Sequence, residues 1–140
     1  MKEGKTKKKY IPTQKKIARV AKECLELWKL ACYKMWGDEC IFSGTTNETT
    51  YHHYILKSKN VRLRFDPMNG VPMRNSNEHY LIHHGNNPET ITDLYNEIRR
   101  KRGKKWCDYI AKEKAKDNYS FLTLRNITEQ RDKLKKYLDN

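Results

Sequence analysis

No apolar run approaches the roughly 18 residues that a membrane-spanning helix needs, so an integral membrane protein is not expected. The N-terminal lysines are followed by no apolar stretch of the secretory kind, which argues against export. The cysteines are four, Cys24, Cys32, Cys40 and Cys107, and no two stand in a Cys-x-x-Cys spacing. A cysteine zinc knuckle and a disulfide framework are both unsupported, and free thiols in a reducing cytoplasm are the expectation. Acidic residues are scarce: 17 Asp and Glu stand against 30 Lys and Arg, a formal net charge of +13. So large an excess on so small a chain favours a polyanionic partner, nucleic acid first, over a merely soluble basic surface. There is no internal repeat, and 140 residues suit one domain with a modest core.

Residues 1–12 form a lysine-rich arm in which Lys7, Lys8 and Lys9 can lie along phosphates or simply solubilise the chain. The domain proper is expected over 13–140. Thr13 is placed to cap a long helix ending before Gly37. Its apolar positions Ile17, Val20, Ala21, Cys24, Leu27, Trp28, Ala31 and Met35 recur at three and four residues, a core stripe or else a homodimer seam. Cys40–Phe42 and Thr49–Leu56 are β-rich around a Ser43-Gly44 turn, and Val71–Met73 reads as a short strand. Asn75 can cap a helix with Glu78 three residues on, and Gly85 stops it. Asn87-Pro88 starts a further helix with Ile91, Leu94, Tyr95 and Ile98 on its apolar face, ended by Gly103. Lys104–Lys116, with Trp106, Tyr109 and Ile110 inward, and Thr123–Leu138 complete the helices, giving an α+β class.

What the chain does have is a concentration of histidine. All five, His52, His53, His79, His83 and His84, fall between Tyr51 and Asn86. His79 and His83 are four apart, so on a helix both imidazoles share a face. Histidines confined in this way suit a metal site with a base beside it, and that combination points to phosphodiester hydrolysis. The reaction needs a nucleophilic water, a cation on the phosphate oxygens and help for the leaving group. A neutral histidine can take the water's proton if its other ring nitrogen is held by a neighbour, and Asn69, in a turn beside the partner strand, is placed for that.

His52-His53-x-Ile55, Asn69-x-x-Pro72-Met73 and His79-x-x-Ile82-His83 together resemble the HNH nucleases of the ββα-metal (His-Me finger) superfamily. The resemblance covers about residues 40–86, a third of the chain, with residues 88–140 as a helical C-terminal part. It implies a ββα-metal finger embedded among helices. It implies His53 as general base, Asn69 as its orienting partner, and His52, His79 and His83 as ligands of one divalent metal, with His84 as substitute if the helix register shifts by one. Imidazole ligands suit Zn²⁺, Ni²⁺ or Mn²⁺, while phosphate and water oxygens would leave Mg²⁺ serviceable. Tyr54-Ile55, Leu63-Arg64-Phe65-Asp66 and Gly85-Asn86 are similar to phage-encoded proteins of the NinG recombination-nuclease type, implying DNA recombination or processing in a host cytoplasm.

The chain departs from relatives that carry a structural zinc on two Cys-x-x-Cys knuckles. Here those places read Cys40-Ile41-Phe42-Ser43 and Met73-Arg74-Asn75-Ser76, so no structural zinc is expected and packing by Phe42, Met73 and nearby helices must replace it. Strand alternation would put His52 and His53 on opposite faces, so a kink or bulge is expected to let both serve one site. Lys57, Lys59, Arg62 and Arg64 are expected to contact DNA phosphates. Arg99-Arg100-Lys101-Arg102 suits either helix-dipole compensation or DNA. Tyr51, Tyr54 and Trp106 read as core. The alternatives to a DNA endonuclease of this kind are a restriction-type enzyme and a catalytically inactive basic DNA-binding protein on the same fold.

Overall fold

The computed structural model describes residues 12–116 and 122–140, with the backbone alone at Ser76, Asn77, His83 and His84. Within those residues the chain is α+β. Five α-helices surround one small antiparallel sheet: α1 (Thr13–Trp36), β1 (Thr49–His53), β2 (Gly70–Arg74), α2 (Tyr80–His84), α3 (Pro88–Arg102), α4 (Lys104–Lys114) and α5 (Leu124–Asp139). Lys7, Lys8 and Lys9 of the basic arm lie outside the described residues.

Helix α1 follows from its periodicity. Ile17, Cys24, Trp28, Ala31 and Cys32 are buried, and the stripe packs against Ile127 and Leu134 of α5. The two helices run in the same direction: Cys24 meets the Ile127 carbonyl, while the Lys34 ammonium reaches the Tyr137 and Asn140 carbonyls one end later. The stripe is thus covered within the chain, as core packing requires. Thr13 is the first helical residue rather than the cap, because the carbonyl of Pro12 already accepts from Lys15 and Lys16. At the other end Gly37 turns the chain at φ +84, where its N–H returns to the Tyr33 carbonyl.

Two expectations about strands fail, the first to local turn bonds and the second to a long-range side-chain contact. Cys40–Phe42 forms a turn, with Cys40 N–H on the Thr45 carbonyl and Ile41 N–H on the Pro72 carbonyl, so it borders the sheet without joining it. β1 ends at His53 rather than Leu56. Beyond it, the Asn69 side chain accepts from Ile55 N–H at 2.8 Å and donates to the Ile55 carbonyl at 2.9 Å, replacing a ladder partner. β1 therefore pairs with β2, from Thr49 opposite Arg74 to His53 opposite Gly70, in continuous register.

A second core lies beneath this hairpin. Cys40, Leu63, Val71, Met73, Ile98, Trp106 and Ile110 are buried together, with Ile41 and Phe42 packed on them. Cys40 and Met73, from the two knuckle positions, thus meet in an apolar cluster. Gly70 is obligatory where the cores meet: a Cβ there would stand 2.4 Å from the Cys32 sulfur and 3.1 Å from the Tyr51 ring.

After β2 the expected Asn75-capped helix opens differently. Asn75–His79 is a turn of π-helix and only Tyr80–His84 is α-helical. The Asn75 side chain takes a hydrogen bond from Thr50, and Glu78 turns back to Arg74 at 2.7 Å instead of closing a capping box. Gly85 does end α2, with its N–H on the Leu81 carbonyl. Asn87 caps α3 through Glu89 and Thr90 N–H with Pro88 in the first turn, and Thr123 caps α5 through Asn126 N–H.

Of the four cations ending α3, all but Arg100 act as tethers. Arg99 donates to the Tyr54 hydroxyl, Arg100 pairs with Glu97, Lys101 reaches the Ile41 carbonyl, and Arg102 donates to the Gly70 carbonyl at 2.9 Å. The Arg102 guanidinium also lies 3.7 Å over the Trp36 ring. Three of the four therefore bind α3 to the hairpin and its flanking turns.

Candidate active site

A cleft of about 600 Å³ opens where β1 ends, bordered by α1 and by the π-turn before α2. His52, His53 and His79 all line it, together with Trp28, Lys29 and Lys57. The expected bulge is absent, since the register is continuous to His53. The cleft instead wraps the end of the strand and reaches rings on both of its faces.

His53 is clamped. Its ring stacks on the Trp28 indole, centroids 4.0 Å apart and planes 3° from parallel. Its Nε2 stands 2.7 Å from the Arg64 carbonyl, which can only accept, so Nε2 carries the hydrogen and the lone pair is on Nδ1. Burial lowers its pKa to about 4, against the hydrogen bond to Arg64, which favours the charged form; Lys57, Arg64 and Lys29 add to the lowering. The ring is neutral at physiological pH.

Asn69 does not reach the His53 ring, contrary to expectation. It is fully buried, and its side chain holds both backbone groups of Ile55 and the Leu63 carbonyl. An amide has one acceptor and a two-hydrogen donor, and three backbone groups crossing from strand to loop use both. Asn69 thus fixes His53 through the backbone, by way of the chain leaving β1 and the turn Leu63–Phe65 that carries the Arg64 carbonyl.

That loop is anchored by every tryptophan in the protein. Trp28, Trp36 and Trp106 donate their indole N–H groups to the consecutive carbonyls of Asp66, Pro67 and Met68, at 2.8, 2.9 and 2.7 Å. The Asp66 carboxylate accepts from Met68 N–H and from the Tyr109 hydroxyl, while its burial holds it above the usual carboxylate range. Periodicity marked Trp28 and Trp106 as core but did not single out Trp36. Their common target could not be read, because it lies between 30 and 40 residues away from each of them.

His52 and His79 stack on each other, centroids 3.7 Å apart. The Thr50 hydroxyl donates to the Asn75 amide oxygen and stands 3.0 Å from His52 Nε2. With its only hydrogen given to Asn75, that hydroxyl accepts from Nε2–H, which puts the His52 lone pair on Nδ1. Thr50 is a supporting residue that the sequence did not single out. Two imidazole donors are therefore side by side in the cleft, a partial fit to a divalent metal. Among the described residues no group of three His, Cys, Asp or Glu side chains is assembled. The side chains of His83 and His84 lie outside the described residues.

Of the residues expected to contact DNA, Lys57 borders the cleft and Lys59 is exposed. Arg64 is instead committed to its own loop, donating Nε and Nη2 to the Lys57 carbonyl at 3.1 and 2.9 Å. Arg62 is half-buried in the same loop. Lys29, on α1, was not foreseen and faces the histidines across the cleft. No family model, no curated protein and no solved structure matches this chain.

Proposed function

We propose that the protein is a metal-dependent DNA endonuclease in which His53 takes a proton from the water that attacks the phosphorus. The observation that carries this reading is the fixed imidazole of His53, with Nε2–H on the Arg64 carbonyl and its lone pair on Nδ1, in a cleft shared with His52 and His79. A general base needs a defined tautomer and orientation, and both are supplied before any substrate arrives. The order β1, β2 and the helical segment 75–84 supports a ββα-metal finger of the HNH kind. A phage-encoded recombination or processing nuclease of NinG type is the narrower form of the proposal and rests on the resemblance alone.

His52 and His79 would hold the divalent ion, with His83 as third ligand. Bound there, Mg²⁺, Mn²⁺, Zn²⁺ or Ni²⁺ would supply positive charge for the phosphate and leaving oxygens. The chain's own residues orient the rest. Thr50 and Asn75 hold the His52 ring, Trp28 and Arg64 hold His53, and Lys29 and Lys57 place two cations beside the cleft for phosphate.

Supercoiled plasmid incubated with the purified protein and each metal in turn, then with chelator, tests the proposal. Nicking that requires metal and stops with chelator is expected. DNA binding without nicking under every metal is the result an inactive basic DNA-binding protein would give, and it would sink the enzymatic reading. Cleavage at one short sequence only would favour the restriction-type alternative.

A further inference from the structure

Beside the histidine cleft lies a second groove of about 410 Å³, within the range of about 300–1,000 Å³ typical of small-ligand sites. Ala21, Leu25 and Phe65 give it an apolar lining, and Lys22, Lys57 and Arg64 border it. The two hollows are continuous: Leu25, Lys57 and Ser58 belong to both. On α1 Lys22 and Lys29 stand on either side of Leu25, about 10 Å apart along the axis. One borders the groove and the other the histidine cleft.

We propose that this groove receives one unstacked nucleobase of the DNA strand being cut, so that the substrate is unpaired next to the scissile phosphate. The inference rests on the nuclease reading and extends it to a substrate class. An apolar lining with a cationic border matches the two halves of a nucleotide, a flat base and a charged phosphate. A strand passing Lys22 and Lys29 would carry its backbone along α1 and turn a base inward between them. A paired base is hidden in its stack, and extruding one is costly, least where the base is already unpaired. Base identity should matter little, because only Ser58 offers a neutral hydrogen-bonding side chain in the groove. The excess of positive charge over the whole chain, +13, argues for a nucleic-acid strand here over an apolar peptide.

The test is equilibrium binding of labelled oligodeoxynucleotides in chelator, where no cutting is needed. Single strands should bind about tenfold or more tightly than a duplex of the same length, and a single abasic site walked along the strand should weaken binding about tenfold at one position only. Ala21→Phe, which fills the groove, should remove that positional effect. Lys22→Glu, an exposed change that leaves packing intact, should weaken single-strand binding even if Ala21→Phe does not fold. Equal affinity for single strand and duplex, a flat abasic scan, or acidic polypeptide competing as well as DNA would overturn the proposal. A positional abasic effect in a protein that cuts nothing would keep the groove and remove the nuclease reading. Metal-dependent cutting with a flat scan would do the reverse.

Discussion

The segment from Tyr54 to Asn69, which positions His53, and the segment from Asn75 to His84, which carries His79, flank the same β-strand and are secured differently. In the first, three indoles hold the carbonyls of Asp66, Pro67 and Met68, Asn69 ties the loop back on itself, Asn60 accepts from Leu63 N–H, and Arg64 closes onto Lys57. Apart from the exposed Arg64–Lys57 pair these polar contacts are buried or part-buried, where a satisfied network is rigid and a broken one costly. The second segment begins with a π-turn, continues as a single turn and a half of α-helix, and is tied to the sheet by the Arg74–Glu78 pair, the Thr50–Asn75 bond and the His52–His79 stack. His53, the proposed base, is thus built into the scaffold, while the segment proposed to carry the metal is, among the described residues, held by fewer contacts. Single π-turns are frequent at functional sites.

The largest effect is expected at Asn69. Asn69→Asp keeps an acceptor for Ile55 N–H but turns a carboxylate toward the carbonyls of Ile55 and Leu63 in a fully buried site. A loss of about 4 kcal/mol is expected from denaturant unfolding, since each buried group left unpaired costs about 1–3 kcal/mol. A loss under 1 kcal/mol would mean the loop is not held as described.

His53 gives the next effect, read against pH in metal-free buffer. Its folded pKa, about 4, lies below the ordinary 6.5 of the unfolded chain. Its contribution is therefore fully present above pH 6.5. It is lost as pH falls toward 4, because the unfolded state binds a proton that the folded ring refuses. The expected loss is about 1.4 kcal/mol per pH unit and about 3 kcal/mol in all. Unfolding of the wild type and His53→Ala at several pH values isolates it: the wild type's advantage should shrink on acidification, and a constant difference would contradict the clamp.

A smaller response is expected from the second segment. For Glu78, burial pushes the carboxyl up, but the hydrogen bonds and charge of Arg74 outweigh it and leave the pKa below the ordinary range. Glu78→Gln should cost about 1–2 kcal/mol in the same unfolding measurement, because a half-buried guanidinium loses its counter-charge. The exposed pair Arg125–Glu129 on α5 sets the floor: Arg125→Ala should change stability by less than about 0.5 kcal/mol. If Glu78→Gln were equally silent, the π-turn would owe its shape to packing alone.

The difference between the two segments also marks what could be read in the sequence. The helices were legible because their signals are local: the three-and-four spacing from Ile17 to Ala31, Asn87-Pro88 before α3, and Thr123 before α5. The histidines could be assigned to one region because they crowd between Tyr51 and Asn86, and three of them do line one cleft. The end of β1 was not legible, since it is set by an asparagine 14 residues away from Ile55 in sequence. Nor was the Trp28–His53 stack, where two residues each readable as core or ligand meet only through the fold. Arg64 and the cations ending α3 were read by charge as candidates for phosphate contact. Their hydrogen bonds to the Lys57, Ile41 and Gly70 carbonyls and the Tyr54 hydroxyl show guanidinium and ammonium groups used as structural donors instead.

His53 is proposed as a preformed base and not a metal ligand. Single-turnover cleavage of saturating DNA by wild type and by His53→Ala, with metal affinity measured on both, tests it most directly. A rate lowered by about 10²–10⁴ with metal affinity unchanged is expected. Cleavage by the variant at the wild-type rate, or loss of metal binding together with activity, would contradict it.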